Sequence, residues 1–356
     1  MTGPRYTPPS HSGAQALPII RRFLRLLVQP TSISLSATSA AALVAADMRQ
    51  VDRVIERRLT SDVALINQIA HYIVSAGGKR IRPMLVLLFS GALGFDGPEK
   101  HELAATVEFI HTATLLHDDV VDESALRRGR ETANALFGNA ASVLVGDFVY
   151  SRAFQMMVSV NSMRVLEVLA EATNVIAEGE VLQLMNMHEP NLSVDDYLRV
   201  IRFKTAKLFE ASARLGAVLA NASTEIEESC AAYGRSIGTA FQLVDDLLDY
   251  EGSTSELGKN VGDDLREGKP TLPLLIAMER AGAEQRLIMQ HAIEHGEVAR
   301  LNEIVEIVRA TGALSATREA ARAEADKAGQ SLSMLPPSTY RDALIELCVR
   351  SVERSS

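Results

Sequence analysis

The sequence is poor in the features that would build a secreted, membrane-spanning or nucleic-acid-binding protein. Only Cys230 and Cys348 occur in 356 residues, too few for a disulfide scaffold or a cysteine-based zinc site. No uncharged apolar run reaches the ~18 to 20 residues of a spanning helix, so no integral membrane protein is expected. The longest such stretch, Met84 to Phe95, has the length of a buried core helix. There is no basic excess: 36 Lys and Arg against 45 Asp and Glu leave a net charge of -9. That excludes non-specific nucleic-acid binding as the main task. No Gly-Lys pair precedes Ser or Thr, so the Walker A phosphate loop is missing, and no Gly-x-Gly-x-x-Gly follows a strand. Strict period-two alternation is scarce, and Ala and Leu outweigh the β-branched residues.

The first segment also lacks acid. Nothing acidic precedes Asp47, whereas Arg5, Arg21, Arg22 and Arg25 do, among frequent Pro and Ser. Such a composition fits an organelle transit peptide or a disordered tail. The stretch Ile19 to Val28 is too short and too interrupted by Arg for a signal peptide. Residues 1–40 are expected to form a disordered extension and 41–356 one large domain. A cytoplasmic location is expected, or a mitochondrial one if 1–40 is a transit peptide.

What is present is helical pattern. Apolar residues make up 47% and charged residues 23%, enough for a sizeable core. Leu301, Ile304, Val305 and Val308 recur at i, i+3, i+4 and i+7. Val165 to Met187 is apolar on more than one face, as in a helix inside a bundle. Breaks fall at Gly77-Gly78, Gly94 to Pro98, His188 to Ser193, Gly252 to Gly262, Gly268 to Pro273 and Pro336-Pro337. The pattern predicts an all-α domain.

One short motif occurs twice. Asp118, Asp119 and Asp122 follow an apolar stretch, and so do Asp245, Asp246 and Asp249. On a helix this spacing is expected to gather each trio into a cluster. Clustered carboxylates near apolar residues repel one another unless a cation compensates them. Oxygen ligands without His or Cys favour Mg²⁺, which takes one or two carboxylates plus waters and phosphates. One copy alone could be a solvated helix end; two copies argue for a site. Cations stand ready nearby: Lys79 and Arg82 after Gly77-Gly78, Arg127 and Arg128 after the first motif, Lys204 beside Thr205, and Lys259 and Lys269 around a glycine-containing loop. Arg grips phosphate oxygens as a fork and Lys as a point charge. Together these groups imply two polyanionic ligands, one bridged by metal and one held by cations, as a pair of diphosphates would be. His291, Glu294 and His295 match a zinc-peptidase spacing, but the segment reads as a polar helix end without a third ligand.

Gly77 to Pro83, both Asp-Asp-x-x-Asp motifs, Lys204-Thr205 and Gly258 to Asp264 resemble, in order, the motifs of the trans-polyprenyl diphosphate synthases. The resemblance runs from about Asp47 to the C-terminus. Phe109 to His117 and Phe137 to Ala141 are similar to the octaprenyl-type members. It implies an isoprenoid synthase-type helical bundle around a central cavity, working as a homodimeric prenyltransferase that makes a quinone side chain. It also implies that Asp118, Asp122 and Asp245 hold Mg²⁺ on an allylic diphosphate, with Asp119, Asp246 and Asp249 in support. By the same resemblance, Lys79, Arg82, His111 and Arg128 would bind isopentenyl diphosphate. Arg127, Lys204, Thr205, Gln242, Lys259 and Lys269 would contact the allylic diphosphate. Ala113 and Thr114, just before the first motif, would leave the product tunnel open where short-chain relatives carry aromatics, with Phe148, Phe154 and Met157 as candidates for its floor. The long apolar product implies at most peripheral contact with a membrane at release. A terpene cyclase on the same fold would lack the second motif and the Lys79 to Arg82 segment. A non-catalytic subunit of a two-protein synthase would have lost aspartates that this chain retains.

Overall fold

A computed structural model describes residues 39–75, 77–127, 129–251 and 262–353. In chain order these form α1 (Ala40–Leu43), α2 (Ala45–Leu59), α3 (Ala64–Ser75), α4 (Ile81–Ala92), α5 (Glu99–Val121), a minimal hairpin of β1 (Leu126–Arg127) and β2 (Arg130–Glu131), α6 (Ala133–Phe137), α7 (Asn139–Ser159), α8 (Met163–Asn186), α9 (Val194–Ile201), a π-helical turn (Arg202–Ala206), α10 (Lys207–Leu219), α11 (Thr224–Glu251), α12 (Asp263–Arg266), α13 (Leu272–Arg280), α14 (Ala283–His295), α15 (Leu301–Ala310), α16 (Ala313–Ser331), a 3₁₀ turn (Leu332–Met334) and α17 (Thr339–Glu353). The expected all-α class holds. All described residues lie in one unit, Ala37–Ser356. Residues 1–38 lie outside the described residues, and so does nearly all of the extension expected over 1–40.

The apolar run Met84 to Phe95 becomes the buried heart of the fold, but α4 stops at Ala92. Gly94, at φ 77°, takes the left-handed conformation. The amide of Phe95 then reaches back to the Ser90 carbonyl at 2.9 Å and that of Gly94 to Gly91 at 3.2 Å, which ends the helix in a Schellman turn. Around α4 pack α5, α10 and α17. Met84 to Ser90 are all buried, as a helix surrounded on every side requires.

Two apolar cores share α11. Cys230, Tyr233, Ile237 and Ala240 belong to the larger one, with α4, α5, α7, α8 and α10. Leu243, Val244, Leu248 and Tyr250 belong to the second, with α9 and α13 to α16. The second aspartate motif therefore lies just past the seam between the cores. The hairpin, with Leu126 opposite Glu131 and Arg127 opposite Arg130, is too short to show as alternation in the sequence; it sets Arg127 beside the end of α5. Among the described residues no helix is long and apolar enough to cross a membrane.

Candidate active site

The first motif sits at the C-terminal end of α5, where Asp122 is the cap and its amide bonds to the Asp118 carbonyl at 2.8 Å. The expected cluster of three does not form. Asp118 and Asp122 are one turn apart and partly exposed, but Asp119 is only 1% exposed. Arg127 holds it, with Nε and Nη2 each 2.7 Å from Asp119 Oδ1. Asn134 Nδ2 donates to the Asp119 carbonyl at 3.1 Å. The physical reason is that a carboxylate this buried needs a cation of its own, and Arg127 supplies it. Burial pushes the Asp118 carboxyl above the usual range; Lys204 opposes the shift and Asp122 adds to it.

Two lysines enter between these acids. Lys269 Nζ lies 3.0 Å from Asp122 Oδ2 and also pairs with Glu267. Burial alone would lower its pKa, but Glu267, Asp122 and Asp264 raise it, so the ammonium stays charged. Lys204 Nζ donates to Glu180 Oε2 at 2.5 Å and lies 3.9 Å from Asp118 Oδ2. Burial pushes Glu180 up to about 7; Lys204 opposes this and Asp118 reinforces it.

Lys204 and Thr205 stand on the π-helical turn, a distortion often found at functional sites. Two glycines make room for it. A Cβ on Gly179 of α8 would come within 2.5 Å of the Lys204 amide nitrogen, and one on Gly238 of α11 within 2.7 Å of Ala206 Cα.

In the second motif two aspartates are buried, Asp246 and Asp249. Asp246 Oδ2 accepts from the Tyr197 hydroxyl at 2.5 Å and Oδ1 from Gln242 Nε2 at 2.8 Å. Gln242 Oε1 in turn accepts from Thr205 Oγ1 at 2.9 Å. Burial, with Asp264 and Asp245 close by, pushes Asp246 up to about 8. Asp249 Oδ2 accepts from the Asp264 amide at 3.3 Å, and Asp245 is half-buried.

Lys79 is exposed, while Arg80 is left-handed at φ 50° and pairs with Glu108 at 3.5 Å. The guanidinium of Arg82 stacks on Phe209, 4.4 Å from the ring centre. His111 is half-buried on α5, and its carbonyl accepts from Thr114 Oγ1 at 2.8 Å. Arg128 and Lys259 lie outside the described residues. Ala113 is wholly buried and Met157 packs in the same core, with Phe148 partly buried against it. Phe154 is exposed and rests edge-on against Tyr150. His291 and His295 stack on each other, and His291 pairs with Glu297 at 3.2 Å.

Sequence reasoning missed Glu180, Tyr197 and Glu267. Glu180 is one of four glutamates on α8 and nothing local set it apart. Nothing in the local pattern marked Tyr197 or Glu267 either.

The donor set fits a hard divalent cation bridged to phosphate. Among the described residues no three His, Cys, Asp or Glu side chains lie close enough to hold a metal by themselves. Asp118 and Asp122 face two lysines, and Asp245 stands on another helix. An open set of that kind suits Mg²⁺, which completes its shell with waters and phosphate oxygens.

A model of the polyprenyl synthetase family matches residues 63–308. The chain is 57% identical over 313 residues to octaprenyl diphosphate synthase of Escherichia coli (strain K12), covering 88% of this chain and 97% of the relative. A crystal structure of a polyprenyl synthase from Caulobacter crescentus CB15, complexed with calcium and isoprenyl diphosphate, superposes with a TM-score of 0.87 at 48% identity, covering 91% of this chain and 100% of that one. A decaprenyl diphosphate synthase from Rhodobacter capsulatus gives 0.84 at 45% identity, covering 89% and 98%.

Proposed function

The chain belongs to the polyprenyl synthetase family and is a prenyltransferase, and from that premise we propose that it adds isopentenyl diphosphate units to an allylic diphosphate such as farnesyl diphosphate, with Mg²⁺, to make an octaprenyl-type chain for a quinone. The observation that carries this reading is the lodging of Lys204 and Lys269 among Asp118, Asp122 and Glu180. Acids and cations alternate there as a metal-bridged diphosphate demands.

Asp118, Asp122 and Asp245 would hold Mg²⁺, which when bound neutralises the diphosphate and assists its departure. Lys204, Lys269 and Arg127 stabilise the negative charge that grows on the leaving group. As the allylic carbon–oxygen bond breaks, the cation left behind needs a site without water, which apolar neighbours supply. The isopentenyl double bond, delivered by a diphosphate held on Lys79, Arg82, His111 and Arg128, forms the new carbon–carbon bond. The proton lost from that unit goes to the released diphosphate. Repetition feeds the growing chain past Ala113 and Thr114.

The exposed apolar residues Leu144 and Val158 on α7 and Val181 and Met185 on α8 support homodimerisation. A cytoplasmic enzyme releasing its product at a membrane surface is part of the same reading. The test is incorporation of labelled isopentenyl diphosphate onto farnesyl diphosphate by purified protein, with chelation and Mg²⁺ restoration, followed by chromatography of the dephosphorylated product. Metal-dependent elongation to about eight isoprene units is expected; no incorporation overturns the proposal.

A further inference from the structure

Tyr197 sits on α9 just ahead of the π-helical turn and is almost wholly buried, within the second apolar core beside Leu243, Val244 and Leu275. A hydroxyl there must find a partner, because an unmet buried polar group costs about 1–3 kcal/mol. Its partner is a carboxylate of the second aspartate motif: the hydroxyl donates to Asp246 Oδ2 at 2.5 Å. Burial and the nearby acid keep the phenol protonated, so it remains the donor. The other oxygen of Asp246 is taken by Gln242, and Gln242 by Thr205. The contacts thus close a loop. It leaves α9 through Tyr197, crosses to α11 at Asp246, moves one turn back to Gln242, and returns to the π-helical turn at Thr205. That turn carries Lys204, which faces Asp118 of the first motif.

We propose that Tyr197 is a positioning residue for the condensation, fixing Asp246 and through it Gln242 and Thr205, so that the second aspartate motif and the Lys204–Thr205 turn meet the allylic diphosphate as one rigid unit. The inference rests on the function given above and adds a residue that touches neither substrate nor metal. Geometry makes the case. Both oxygens of Asp246 are oriented by side chains from two elements, so the carboxylate has one rotamer. Without the phenol, Asp246 and Gln242 can turn as a pair and release the Thr205 hydroxyl.

The test compares the wild type with Tyr197→Phe, Asp246→Asn and the double variant. Phe fills the same space, so the fold is kept. The readings are calorimetric binding of magnesium pyrophosphate, kcat, both KM values and the melting temperature. Losing the buried hydrogen bond to Asp246 predicts about a tenfold weakening of pyrophosphate binding and a similar rise in the allylic KM in Tyr197→Phe. The isopentenyl diphosphate KM should stay within about twofold, and Tyr197→Phe should add little in the Asp246→Asn background, since coupled groups are not additive. The inference is overturned if pyrophosphate affinity and the allylic KM are unchanged. It is equally overturned if both KM values and the melting temperature worsen together, which marks a purely structural role. Failure of the wild type to condense its substrates would refute the function above, while the pyrophosphate titration still decides the role of Tyr197.

Discussion

Gly179 and Lys204 touch through their backbones: a Cβ at residue 179 would stand 2.5 Å from the Lys204 amide nitrogen. The π-helical turn that presents Lys204 and Thr205 can exist only where α8 lacks a side chain. Gly179→Ala should therefore push the turn away from α8. The expected cost is about 1–3 kcal/mol of stability, typical of overpacking. Turnover should fall more than the melting temperature would suggest, because Lys204 loses its place between Glu180 and Asp118. Thermal unfolding beside steady-state rates checks this; wild-type turnover in the alanine variant would show that the turn tolerates the shift.

Asp118 is the first-motif carboxylate that faces Lys204. Asp118→Ala should leave the helical content intact, since the residue is partly exposed and near a helix end. Turnover should drop by about a thousandfold, the scale seen when a group that stabilises transition-state charge is removed. Circular dichroism with a single-turnover assay separates the two effects.

Ala113 is wholly buried five residues before Asp118. If its methyl borders the growing chain, Ala113→Phe should shorten the product and spare the first condensation. If it borders only packed helices, the larger ring should instead destabilise the fold by about 1–3 kcal/mol without altering product length. Chromatography of the dephosphorylated products, read beside a melting curve, distinguishes the outcomes.

Acid stability should depend on Asp47. Its carboxylate lies 3.1 Å from Lys100 Nζ and 2.7 Å from His101 Nε2, and it helps to join α2 to α5. Burial alone would raise its pKa, but hydrogen bonds from His101 and Lys100 lower it below 3.8. A depressed carboxyl contributes stability that is fully present above the unfolded value and is lost as pH falls through the folded one. Wild type should thus weaken more steeply below about pH 4 than Asp47→Asn does. At neutral pH the variant should be less stable by about 2 kcal/mol, since Lys100 loses a charged partner. Denaturant midpoints measured from pH 7 down to pH 3 provide the check.

Much of the fold could be read from residues alone. The breaks at Gly77-Gly78, Gly94 to Pro98 and His188 to Ser193 coincide with helix ends, because glycine and proline act on the local backbone wherever they stand. The pairing of Thr205 with Gln242 was not legible, since the two stand on separate helical elements. The hairpin at Leu126 to Glu131 was not legible, since two residues per strand carry no periodicity.

The sequence by itself determined the all-α class, the two acidic motifs and the chemistry they call for, because helical period and ligand type are properties of neighbouring residues. Only the tertiary structure decided which aspartates are tied inward and which meet the lysines. Asp119 and Asp246 are turned inward to Arg127, Tyr197 and Gln242, and Lys204 and Lys269 are brought to Asp118 and Asp122 from residues 86 and 147 positions away. Those choices depend on how separate helices pack, and no local pattern encodes the distance between them.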